Sequence, residues 1–173
     1  MPQKTHSFYS LCLYNLVPSC YSCNSKFKGA LNFNINKQLK NISPTSNSYS
    51  LSKDFRFRIF YPNIKLNNIK DVSEFILDRK ILRNKAHLDR YFEMFKIGGR
   101  YTYQKSQVLQ LIENKINYPP SRIKEISKQT GISIKELNNN IFGKELFESK
   151  LSNSPMIKLK RDIAKKLNIK GVI

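Results

Sequence analysis

A chain of 173 residues, 40% of them hydrophobic, suits one domain or a small module joined to a larger one, and is too apolar to be wholly disordered. Lys and Arg number 31 against 12 Asp and Glu, a formal net charge of +19. That excess points to nucleic acid ahead of anionic lipid, because neutralising phosphates releases condensed counterions.

Residues 1–30 combine a short extended apolar stretch (Phe8, Leu11, Leu13, Leu16, Val17), a Cys20-x-x-Cys23 turn and a basic tail. Leu11 to Pro18 is too short to cross a bilayer, lacks a preceding basic region and holds Asn15, so neither a signal peptide nor a membrane partner is expected. Three cysteines without an export signal argue against a disulfide framework and for a reducing, cytoplasmic setting. The first acidic residue is Asp54, whereas Lys4, Lys26, Lys28, Lys37 and Lys40 precede it. This asymmetry suits a phosphate-facing module ahead of a mixed-charge body, or else a solvated Asn/Ser/Lys-rich arm.

Residues 31–70 read as a linker with one strand. Phe55, Phe57 and Ile59 alternate with Arg56, Arg58 and Phe60, a period of two that predicts a strand over 54–60, stopped by Pro62. Arg56 and Arg58 then share one face, to contact phosphate or to blunt edge aggregation. Residues 71–173 read as a helical domain. Apolar spacings of three and four predict helices over Ser73–Leu82, Asn84–Phe95 (ended by Gly98-Gly99) and Tyr103–Ile116. Pro119-Pro120 opens another through Lys128, Ser133 with Glu136 offers a capping box for the next, and a last helix runs from Ser154-Pro155 through Leu167. The fold expected is mainly α with a small β element.

The residues with chemistry to offer lie in Tyr14-Asn15-Leu16-Val17-Pro18-Ser19-Cys20-Tyr21-Ser22-Cys23-Asn24-Ser25-Lys26-Phe27-Lys28-Gly29. Two thiolates at this spacing suit half of a tetrahedral zinc site. Other candidates nearby are His6, which reads as a loop residue, and Cys12, which reads as a buried thiol between Leu11 and Leu13. The segment resembles the second half of an HNH endonuclease motif, most closely that of zinc-containing bacterial HNH nucleases, among them restriction and phage-defence enzymes. The similarity spans residues 8–29 and, more thinly, 154–167.

The resemblance implies a partial ββα-metal module over residues 1–30, ahead of the helical domain. It implies that Asn15 matches the asparagine that orients the catalytic histidine, that Cys20 and Cys23 form the second zinc pair, and that Asn24 stands at the metal-site position. Lys26 and Lys28 would face phosphate, with Mg²⁺ or a similar ion beside structural Zn²⁺ in the intact family. In that family an Asp-His pair precedes a Pro-basic stretch similar to Pro2-Gln3-Lys4, which places the pair and the first Cys-x-x-Cys ahead of Met1. His6 stands on the wrong side of that proline. The expected protein is thus an N-terminally truncated HNH-type DNA endonuclease, lacking its base and inactive as written, whose first thirty residues need zinc or a partner to fold.

A second constellation lies at 120–142, where a helix, a turn with Gly131 and a Ser133-capped helix have helix-turn-helix spacing. There Asn138, Asn139 and Asn140 are candidates for reading adenine edges, and an ordinary helical hairpin is the plainer alternative. A third possibility is an accessory subunit of a phage-defence complex that grips an ATPase partner.

Overall fold

The structure, a computed structural model, describes residues 20–29, 51–61, 65–149 and 156–173. These residues are mainly helical, with seven α-helices and one two-stranded antiparallel sheet. No helix among them is long and apolar enough to cross a membrane. The chain divides into two compact units, one drawn from Met1–Asp54 and Leu82–Gly98, the other from Phe55–Ile81 and Gly99–Ile173.

The first unit contains the cysteine turn, a four-residue helix α1 (Leu51–Asp54) and α2 (Lys85–Met94). Asp54 is buried, and its carbonyl accepts hydrogen bonds from the Leu82 and Arg83 amides at 2.7 and 3.2 Å, which ties α1 to the approach to α2. Asn84 enters α2 at φ 54°, a left-handed conformation that Asn tolerates better than most residues. His87, Leu88 and Phe92 form the buried stripe of α2, at helical spacing. The break expected at Gly98-Gly99 falls earlier. Lys96 takes φ 50°, and a short helix α3 (Ile97–Thr102) runs through both glycines.

In the second unit β1 (Phe55–Phe60) pairs with β2 (Ile76–Ile81), in register from Phe55 opposite Ile81 to Phe60 opposite Ile76. The alternation of β1 is as expected, with Phe55, Phe57 and Ile59 buried and Arg56, Arg58 and Phe60 exposed. Two corrections follow. β1 belongs to the body rather than to a linker, and the helix expected over Ser73–Leu82 is instead one 3₁₀ turn, Val72–Glu74, leading into β2. A full capping box does form there, with the Ser73 amide donating to Asp71 and the Asp71 amide to Glu74 at 2.8 and 2.9 Å. The turn stops because β1 needs a hydrogen-bonding partner, and tertiary pairing overrides a weak local preference.

The helices α4 (Lys105–Asn117), α5 (Pro120–Thr130), α6 (Ile134–Phe142) and α7 (Ile157–Lys166) follow the expected pattern within a few residues. α7 packs on β1, while α4 touches both α6 and α7. Leu159, Ile163 and Ala164 on α7 are fully buried, as are Ile112 on α4 and Leu146. The open edge of β1 is closed by α7. The Phe57 amide donates to Asp162 Oδ2 at 2.9 Å, and Lys158 Nζ donates to the Phe55 carbonyl at 3.0 Å and to Asp162 at 2.9 Å. A helix thus satisfies backbone groups that would otherwise invite another strand.

Candidate nucleic-acid interface

In the first unit the expected knuckle at 20–23 is the start of a helical turn. Tyr21 is already helical, and Ser22–Lys28 winds as a π-helix. The Asn24 amide donates to the Cys20 carbonyl at 3.0 Å, and the Gly29 amide to the Asn24 carbonyl at 3.0 Å. Gly29 closes the turn at φ 48° and ψ −136°, a conformation costly for a residue with a Cβ. Cys20 stands just ahead of the turn, and Cys23 is its second residue. Cys20 is exposed and Cys23 half-buried.

Among the described residues no group of three or more His, Cys, Asp or Glu could hold a metal ion. Two thiolates are half of the ligands that a tetrahedral zinc site needs. Asn24 and Lys26 are exposed and Lys28 is half-buried, so the turn is basic at its C-terminal end. In the same unit the Tyr91 hydroxyl is held above its ordinary pKa, first by burial and then by Cys23. Asn15 and the strand expected near 8–17 lie outside the described residues.

In the second unit Arg56 and Arg58 share the solvent face of the sheet with Phe60. Opposite them stand Lys80, Asp78 and Ile76. Arg58 pairs with Asp78 at 2.6 Å, with a further bond from its Nε at 2.9 Å. Partial burial pushes the Asp78 pKa up, but the hydrogen bond and charge of Arg58, with help from Arg79, hold it below the ordinary carboxylate value. Arg58 is thus already neutralised. Arg56 faces Lys80, and neither has an acidic partner among the described residues.

The α5–α6 segment has the expected helix-turn-helix outline. Gly131 ends α5 at φ 73°, and the Ser133 hydroxyl accepts from the Glu136 amide at 3.2 Å, the serine half of the expected box. The three asparagines do not form one reading edge. Successive residues on a helix point about 100° apart, and here Asn140 is exposed while Asn138 and Asn139 are half-buried. Asn139 Oδ1 is buried without a hydrogen-bond partner among the described residues. A shallow 440 Å³ depression lined by Ser121, Arg122, Glu125, Ile126 and Gln129 runs along α5.

Sequence reasoning missed Lys80, because only the strand register brings it opposite Arg56. No protein-family model, curated protein or solved structure matches the chain.

Proposed function

We propose that the chain is part of an HNH-type, metal-dependent DNA endonuclease, a nucleic-acid-binding piece that is inactive by itself. One observation carries this reading: Asn15, Cys20, Cys23, Asn24, Lys26 and Lys28 stand in the order and spacing of the motif's second half. Cys20 precedes a helical turn that carries Cys23 and ends in Lys26 and Lys28. In this reading Cys20 and Cys23 hold one side of a structural zinc site, and Asn15 orients a histidine base. Lys26 and Lys28 hold phosphate.

Phosphodiester hydrolysis needs a base to activate water, and in the family a divalent ion stabilises charge developing on the phosphate. The chain's histidines are His6 and His87. His87 is buried on α2, and His6 does not match the position of the base. The 173 residues thus supply half of the scaffold and no base.

The purified chain should take up Co²⁺ as a zinc probe through thiolate ligands, with the charge-transfer absorption lost in Cys20→Ser/Cys23→Ser. It should show no Mg²⁺-dependent nicking of plasmid DNA. Turnover by these residues alone, or cobalt binding indifferent to both cysteines, would defeat the proposal. An in-frame Asp-His and a further Cys-x-x-Cys in the DNA upstream of the Met1 codon would support it, and their absence would count against it.

A second reading, a non-enzymatic helix-turn-helix binder, is favoured by the three-residue turn between α5 and α6 with Gly131 left-handed and Ser133 capping. It expects Lys135→Ala/Asn140→Ala to abolish preference for a selected duplex sequence. Unchanged preference would remove it.

A further inference from the structure

We propose that the solvent face of the β1–β2 sheet is a docking platform for single-stranded DNA. The inference rests on the nucleic-acid reading above but not on the zinc half-site. It starts from three cross-strand pairs that share this face: Arg56 with Lys80, Arg58 with Asp78, and Phe60 with Ile76.

Each pair has a different character. Arg58 and Asp78 neutralise each other at 2.6 Å. Arg56 and Lys80 are both exposed and directly opposed, and like charges so placed destabilise a sheet unless an anion lies between them. Phe60 and Ile76 are each 56% exposed, an apolar step on an otherwise polar face. An unneutralised cation pair and an exposed aromatic therefore lie on one surface, about 13 Å apart along β1. A strand of nucleic acid presents the complementary chemistry, phosphate for the cations and a base face for the ring. Duplex DNA has its bases stacked on one another, so it offers Phe60 nothing to stack on.

Other occupants fit less well. Residues 1–53 contain no Asp or Glu, so the N-terminal part of the chain cannot neutralise Arg56 and Lys80. A second copy laid face to face would bring more cations than acids to the contact, since the polar residues of this face are Arg56, Arg58 and Lys80 against Asp78 alone.

The chain contains no tryptophan, so Phe60→Trp in the full chain creates a single reporter on the platform. Oligo(dT) should quench its emission, and a duplex at equal phosphate concentration should not. By anisotropy, Arg56→Glu/Lys80→Glu should weaken oligo(dT) binding by at least roughly tenfold, and Phe60→Ala by roughly 5- to 100-fold. Circular dichroism checks that both variants remain folded. A control with the same charge change, Lys124→Glu/Lys128→Glu on exposed positions of α5, should weaken it distinctly less.

The inference is overturned if folded sheet variants bind as the wild type does, or if the α5 control loses as much affinity. Tryptophan emission indifferent to bound oligo(dT), or tighter binding of oligo(rU) than of oligo(dT), would overturn it too. If the wild type binds no DNA of any form, the nucleic-acid reading falls with it. Binding without any effect of the sheet variants removes the platform alone.

Discussion

His87 is buried on α2, and withdrawal from water, reinforced by the nearby Arg90 charge, holds its pKa below the ordinary 6.5. The unfolded chain then takes up this proton at higher pH than the folded one. Stability from this source is full above the ordinary value, falls as pH drops towards the folded value, and levels off below it. Urea midpoints should accordingly decline as pH falls below about 6.5, and His87→Gln should flatten that decline. An unchanged slope in the variant would assign the effect to other groups. The carboxylates of Asp71 and Glu74, held below their ordinary values chiefly by hydrogen bonds from Ser73 and from the Lys70 amide respectively, act only at lower pH. At this scale the spacing of the two thiols was legible from the residues alone. The neutralisation of Arg58 was not, because its partner lies twenty residues away across a sheet.

Among the elements, the join between α7 and β1 is the one most open to a single change. Asp162 Oδ2 accepts both the Phe57 amide and the Lys158 ammonium, while the ammonium lies 4.6 Å from the centre of the Phe55 ring. The pair is largely shielded, at 20% and 12% side-chain exposure. Asp162→Ala would leave a backbone amide and a cation without their acceptor, at a cost of about 2–4 kcal/mol. Chemical denaturation measures it, and a loss under about 1 kcal/mol would show that water replaces the carboxylate. Helix limits were mostly readable from caps, because Pro120, Gly131 and Ser133 act through their own backbone geometry. Ser73–Leu82 was misread. Its apolar residues satisfy helical spacing, yet Ile76–Ile81 is the segment that pairs with β1.

For the whole molecule, a net charge of +19 makes any DNA affinity strongly salt-dependent. If about six phosphates are engaged, affinity should fall by roughly 10³-fold between about 50 and about 200 mM salt. A nearly flat dependence, measured by anisotropy with oligo(dT), would mean that the cations do not touch the backbone. The two units draw on discontinuous stretches, with chain crossings at 54/55, 81/82 and 98/99. The first crossing falls at Asp54, where acidic residues begin, and no composition boundary marks the other two, since continuity in space depends on which segments pair and pack.

Charge, the thiol spacing, the alternation of β1 and the capped helices were written in the sequence, because each depends on neighbours within a turn or two of chain. The existence of β2, the closing of the β1 edge by α7 and the opposition of Arg56 to Lys80 were decided only by the fold. These depend on hydrogen bonds and charges that meet across twenty to a hundred residues, where local pattern carries no information about partners.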